Sequence, residues 1–318
     1  MRHAIAALLF AAACAQAAQQ PPAAETGQIE TAPGVTLFYE KVGDGPQVVI
    51  VPGRLFLADG FRELASPERT LIFYDMRNRG ASNRVEDGAM LNVIEDVRDL
   101  EAVRAHFNAE RFIPIGFSYL GVMVALYAAE HPERVERLVQ VGPAPRDFDT
   151  EYPPEHTAGE NTLSSEAFAV RDAAREARQA EGATQQQICQ SERRFSEYVL
   201  VGDPANRGRL MDPCQYENEW PESLARHFSF HFADIQSRDF PAAMFTGLAQ
   251  PTLVIHGTLD RNAPYGGGRE WARTFPDARL ITVEGAAHAI WADDPSIVEA
   301  IDLFLNGDWP ERAERIAD

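Results

Sequence analysis

Hydrophobic positions along the chain fall into short continuous runs that alternate with longer stretches of helical spacing. "GVTLFYEKVG", "QVVIVPG" and "TLIFYDMRN" come first, and the second and third are almost uninterrupted apolar runs of the kind that strands buried on both faces of a sheet require. Between these two, "ADGFRELAS" fits a short helix. "LNVIEDVRDLEAVRAHF" places Val93, Ile94, Val97, Leu100, Val103 and Phe107 at helical spacing, which predicts an amphipathic helix. The strand "RFIPIGF" runs straight into the apolar helix of "YLGVMVALYAAEHPERV", and the strand "VERLVQVGP" closes this half. Strands alternating with helices imply an α/β fold with a mostly parallel sheet and helices on both faces.

The pattern breaks after residue 145. Residues 146–245 are polar, acidic and helical, with "SEAFAVRDAAREARQAEG" the clearest helix and no buried strand. Strand character returns at "QPTLVIHGTLD" and "ARLITVEG", with the helices "GGREWARTF" and "SIVEAIDLFLNG" between and after them. The expected organisation is a core formed by residues 28–145 and 246–310, carrying a helical cap inserted at 146–245. An insertion of that length exceeds an ordinary loop and would cover the carboxyl ends of the strands.

Composition narrows the function. A chain of 318 residues with 45% hydrophobic content can bury a substantial core. A net charge of −19 argues against binding nucleic acid, which needs Lys and Arg to displace counterions from phosphate. Arg2, an apolar run too short to span a bilayer and then Ala15-Gln16-Ala17 have the layout of a secretory signal peptide over about residues 1–20. The expected location is periplasmic or secreted, with a lipid anchor at Cys14 as the alternative to ordinary cleavage. No later segment is apolar and long enough to cross a membrane. In an oxidising compartment the two remaining cysteines, Cys189 and Cys214, are expected to form a disulfide within the cap.

The candidate chemistry lies where strands end, since open parallel sheets form their sites outside the carboxyl ends of the strands. Ser118 follows "FIPIG", Asp260 follows "TLVIHGTL" and His288 follows "LITVEGAA". A serine hydroxyl is a weak nucleophile until an imidazole takes its proton, and the imidazole in turn needs a carboxylate to fix its tautomer. Ser118, His288 and Asp260 fit these roles in the chain order of strand-to-helix serine hydrolases. Asp147 and Asp149, after "LVQVGPAPR", are the alternative acids. The oxyanion that forms requires N–H donors, for which the backbone N–H groups of Tyr119 and Arg54 are the candidates, with Leu55 next in line. Taken alone, Ser118 also fits a helix N-cap.

The remaining histidines read as structural. His131 suits a helix C-terminus, His256 a strand end, and His227 and His231 lie four apart on a cap helix with no third metal ligand evident in the sequence. Neither a metal nor a cofactor is expected, as no thiolate cluster, Walker loop or dinucleotide fingerprint is present.

The segments "VIVPG", "FYDMRNRGAS", "IEDVRDLEAV", "IGFSYLG", "EHPERVERLVQVGPA", "VIHGTLDRNAP" and "VEGAAHAIWADDP" together resemble the α/β-hydrolase superfamily, in the group of cap-containing serine hydrolases similar to proline iminopeptidase-like enzymes and related esterases. That resemblance implies an acyl-enzyme mechanism on a small ester or a short peptide or amide with a free amino terminus. It also implies that cap carboxylates and aromatics, here Glu192, Glu217, Tyr216 and Trp220, meet the substrate. Two departures stand out. Leu120 occupies the second glycine position of G-x-S-x-G, with Gly121 one step later, and Pro52-Gly53 replaces the usual His-Gly. A relaxed elbow at Leu120 would suit the rival reading, a catalytically inactive ligand-binding protein on the same fold.

Overall fold

The computed structural model describes residues 24–317, so the expected leader and Cys14 lie outside the described residues. Eight strands form one sheet: β1 (Glu25–Ala32), β2 (Val35–Val42), β3 (Gln47–Pro52), β4 (Arg69–Tyr74), β5 (Ile113–Phe117), β6 (Leu138–Val141), β7 (Thr252–Gly257) and β8 (Ala278–Val283). Their spatial order is β1-β2-β4-β3-β5-β6-β7-β8. β1 pairs antiparallel with β2, and β2 with β4; every later pairing is parallel. The helices are α1 (Arg54–Phe61), α2 (Val93–His106), α3 (Tyr119–Glu130), α4 (Ser165–Gln179), α5 (Gln185–Leu200), α6 (Pro221–Gln236), α7 (Tyr265–Thr274), α8 (Ile290–Asp293) and α9 (Ser296–Leu305).

Every residue of β4, β5, β6 and β7 is buried, which explains why these strands show as continuous apolar runs. Successive side chains enter opposite layers. Ile50 and Ile72 pack with Val97, Leu100, Val124 and Trp271 of α2, α3 and α7, whereas Val49, Val51, Leu71 and Phe73 pack with Leu57, Phe61, Ile301 and Phe304 of α1 and α9. β1 escapes the hydrophobic pattern because it is an edge strand with one buried residue, Ile29; the backbone ladder to β2 holds it. α1 begins at Arg54, four residues earlier than the spacing of "ADGFRELAS" suggests, directly after Gly53 at φ 81°.

This topology sets the site. β3 and β5 are neighbours, yet the helices that follow them, α1 and α3, lie on opposite faces of the sheet. The crevice between the two departing chains is the switch point at which α/β sheets place their sites. α2 is started by Asn92, whose side chain accepts from the N–H groups of Ile94 and Glu95 at 3.1 and 3.0 Å.

Glu101 ties α2 to α3. It accepts from Arg104 at 2.8 and 2.9 Å, from the Tyr127 hydroxyl at 2.7 Å and from Arg134. The Arg104 hydrogen bonds, joined by Arg134 and Tyr127 and opposed by burial, lower its carboxyl from 4.5 to about 2. A depressed carboxylate contributes stability above its unfolded value and loses it as pH falls toward the folded one. Glu101→Gln should therefore destabilise the protein at pH 7 by on the order of 1 kcal/mol, with the gap closing toward pH 2. Urea unfolding at several pH values measures this, and a pH-independent gap would contradict it.

Candidate active site

Ser118 stands between β5 and α3 with φ 56° and ψ −129°, a conformation that L-residues rarely adopt. Its side chain makes no cap hydrogen bond to α3, so the serine does not serve as a helix N-cap. The backbone is held instead. Ser118 N–H donates to the Val141 carbonyl at 3.1 Å, and its carbonyl accepts from Gly121 at 2.9 Å and Ala144 at 3.0 Å. Close passage of strand and helix requires Gly116, where a Cβ would lie 2.3 Å from the Leu120 carbonyl oxygen.

Leu120 does not crowd the strands. Its side chain is buried and turns toward Gly53, where an added Cβ would sit 2.9 Å from Leu120 Cδ1. The leucine thus fills the space that Gly53 leaves open. Gly121 takes the small-residue place beside Pro143, and its carbonyl accepts from Gln140 Nε2 at 2.8 Å.

Asp260 and His288 meet at the ends of β7 and β8. His288 Nδ1 lies 2.7 Å from Asp260 Oδ2, both side chains being buried. A carboxylate accepts only, so Nδ1 carries the proton and Nε2 is left as the basic nitrogen. Asp260 Oδ1 accepts from the Asn262 and Ala263 N–H groups, each at 2.8 Å, and His256 Nε2 is 3.2 Å from Oδ2. Burial pushes the Asp260 carboxyl up, but His288 and His256 outweigh it and hold the group well below the usual carboxylate range. The His288 ring packs on Phe117, the residue before the serine, with centroids 4.6 Å apart. Asp147 and Asp149 are exposed and joined only by a local turn, with the Asp149 N–H donating to Asp147 Oδ1 at 2.9 Å.

The turn after β3 supplies the next element. Leu55 N–H donates to Asp75 Oδ1 at 3.0 Å and is spent there. Arg54, the first residue of α1, is the remaining donor candidate of that turn, as Tyr119 is at the start of α3. Asp75 Oδ2 also accepts from Arg54 Nε at 3.1 Å, Arg54 Nη2 at 2.7 Å and Ala81 N–H at 2.9 Å.

Glu192 pairs with Arg178 at the surface, and Glu217 is exposed. The buried cap carboxylate is Glu219, which receives Arg79 Nε and Nη2 at 2.9 and 2.8 Å and Gly80 N–H at 2.8 Å. Tyr216 Oη accepts from Arg54 Nη2 at 3.1 Å, and Trp220 Nε1 donates to the Cys214 carbonyl at 2.9 Å. Cys189 and Cys214 are disulfide-bonded, with S–S 2.00 Å.

Asp293 is a residue that motif reading passed over: it accepts from Gly202, Asp203 and Ala287 N–H groups at 2.7, 3.0 and 2.9 Å, binding the His288 loop to the end of α5. His231 Nε2 lies 2.7 Å from buried Asp96 of α2 and stacks on His227 with centroids 4.8 Å apart. Burial, with nearby Arg79, lowers the His227 imidazole well below its ordinary value. The pair joins α6 to α2. Among the described residues no group of three or more His, Cys, Asp or Glu side chains is arranged to hold a metal ion.

The chain belongs to the alpha/beta hydrolase fold family, whose model matches residues 46–295. It is 28% identical over 262 residues to a pimeloyl-[acyl-carrier protein] methyl ester esterase of Chromobacterium violaceum, covering 80% of this chain and 92% of that one. It is 22% identical over 321 residues to a probable proline iminopeptidase of Leptolyngbya boryana, covering 88% and 94%. Among solved structures, a thermophilic esterase from Thermogutta terrifontis superposes with a TM-score of 0.63 at 20% identity, covering 89% of this chain and 98% of that one. The 2-hydroxy-6-oxo-6-phenylhexa-2,4-dienoate hydrolase of Rhodococcus sp. strain RHA1 superposes with a TM-score of 0.67 at 18% identity, covering 90% and 99%. These last two likenesses concern the fold.

The Arg79–Glu219 pair makes a direct test of how the cap is fastened. Glu219→Ala should cost about 3–5 kcal/mol because it leaves Arg79 buried without a counter-charge, whereas Arg79→Met with Glu219→Leu should cost less. Urea unfolding of the two variants measures both, and a Glu219→Ala protein as stable as the wild type would contradict the assignment.

Proposed function

We propose that this protein is a cofactor-independent serine hydrolase of small carboxylic esters, acting through an acyl-enzyme. The observation that carries the proposal is the buried His288–Asp260 pair packed on Phe117, next to a serine held at positive φ with its hydroxyl uncommitted to the helix. In this reading Ser118 Oγ attacks the ester carbonyl as His288 Nε2 takes its proton. Asp260 stabilises the imidazolium. The N–H groups of Tyr119 and Arg54 receive the oxyanion. Collapse expels the alcohol, which receives the proton from His288, and water then attacks the acyl-serine by the same route in reverse.

The same centre would cleave a short peptide with a free amino terminus if the cap offered an unpaired carboxylate to its ammonium group. Glu192 and Glu219 are already matched by Arg178 and Arg79, and Glu217 is exposed, which favours the ester reading. The Chromobacterium violaceum esterase relative supports the same choice. We also read the chain as exported, periplasmic or secreted, with the leader-like first residues and the Cys189–Cys214 bond in support.

Wild-type protein is expected to react with a fluorophosphonate at Ser118 and to turn over p-nitrophenyl acetate or butyrate. Ser118→Ala should abolish labelling and lower kcat by about 10⁵–10⁶-fold, and Asp260→Asn by about 10⁴-fold. Proline p-nitroanilide should be the poorer substrate. Preferential anilide cleavage that disappears when the amino group is blocked would replace the ester reading with the peptidase one. Ligand binding with neither labelling nor turnover would identify an inactive binding protein instead.

A further inference from the structure

The cap reaches the turn after β3 through the side chain of Tyr216. The segment from Cys214 to Trp220 contains only short turns of 3-10 helix, Pro213–Gln215 and Glu217–Glu219, and cannot hold its own shape through a long helical ladder. It is fixed from outside. The disulfide joins Cys214 to Cys189 of α5, Trp220 Nε1 bonds the Cys214 carbonyl, and Glu219 receives Arg79 and Gly80. Within this braced segment Tyr216 is half-buried, and its phenol oxygen accepts from Arg54 Nη2 at 3.1 Å.

Arg54 is an unusual residue to tether. Its own backbone N–H is the oxyanion donor in the mechanism proposed above, on which this inference rests. The preceding Gly53 sits at φ 81° and has no Cβ to limit rotation of the turn. The Gly53 carbonyl, in the same peptide plane as that N–H, accepts from Phe56 and Leu57 N–H at 2.9 and 3.3 Å, and contacts of the Arg54 side chain on two sides add to this restraint. From the core side Asp75 takes Arg54 Nε, Arg54 Nη2 and Leu55 N–H, with the guanidinium carbon 4.8 Å from the centre of the Phe38 ring. From the cap side Tyr216 takes the other Nη2 hydrogen, with its ring centre 5.7 Å from the same carbon. The guanidinium is thus gripped by both parts of the molecule.

We propose that Tyr216 is a positioning residue that couples the disulfide-braced cap segment to the oxyanion donor at Arg54. A hydrogen-bond donor aimed at the developing oxyanion must be in place before reaction, and small displacements of such groups are costly. In this role Tyr216 acts through Arg54 rather than on the reacting atoms. Its loss should consequently lower the rate of the chemical step while leaving substrate binding in the ground state nearly unchanged.

The experiment follows the second-order rate of Ser118 phosphonylation by a fluorophosphonate, together with kcat and KM for p-nitrophenyl butyrate. It compares wild type, Tyr216→Phe, the Cys189→Ser/Cys214→Ser protein and the combination of all three substitutions. Tyr216→Phe should label about tenfold more slowly and lose kcat to a similar extent, with KM nearly constant. Removing the disulfide should slow the wild type but add little in the Tyr216→Phe background, since both act on one contact. Labelling of folded Tyr216→Phe at the wild-type rate would overturn the proposal, and so would a change confined to KM or a disulfide effect of equal size in both backgrounds. If the serine variants fail to fold, the oxidised Tyr216→Phe protein decides alone. A wild-type protein unlabelled at Ser118 would instead sink the hydrolase reading itself, a result distinct from a labelled wild type indifferent to Tyr216.

Discussion

Hydrogen bonds from Ser118 N–H to the Val141 carbonyl, and from Ala144 and Gly121 N–H to the Ser118 carbonyl, hold the serine at φ 56° and ψ −129°. A backbone in such a region costs about 1–3 kcal/mol, and three hydrogen bonds at roughly 0.5–1.5 kcal/mol each suffice to offset it. Two of the bonds reach β6 and the turn after it, so the sheet side supplies most of the support for the strain and Gly121 N–H of α3 supplies the rest. The consequence is a side chain lifted off the helix end, without the capping bond that an ordinary serine in that place would make.

The second requirement is electrostatic. Asp260 is fully buried, and a carboxylate there is tolerated only because His288, His256 and two backbone N–H groups surround it. The same set fixes the His288 tautomer. The geometry of the turn after β3 is controlled on a similar principle by Asp75, which consumes the Leu55 N–H and part of the Arg54 guanidinium. Leu120 against Gly53 then shows how a departure from the usual small-residue pattern is absorbed: a side chain added on one element occupies the space of one absent from the other.

Much of this was legible before any coordinates. The strands β4 to β7 announced themselves because burial on both faces writes a continuous apolar run, and the sheet topology then brought Asp260 and His288 together across 28 positions of sequence. β1 was silent because Ile29 alone is buried in it. Polar side chains whose partners lie far along the chain were equally silent. Glu219 meets Arg79 across 140 positions and Asp293 meets Gly202 across 91, and no local pattern marks either. Composition singled out the acidic cap, but which carboxylate turns inward depends on tertiary packing, so Glu219 rather than Glu192 or Glu217 came to the seam.

A crystal structure of the fluorophosphonate adduct tests the central claim most directly. The account predicts a covalent bond from Ser118 Oγ to phosphorus, a phosphoryl oxygen within about 3 Å of both the Tyr119 and Arg54 N–H groups, and His288 Nε2 within hydrogen-bonding reach of the adduct. An adduct on another residue, or a phosphoryl oxygen turned away from both N–H groups, would contradict it.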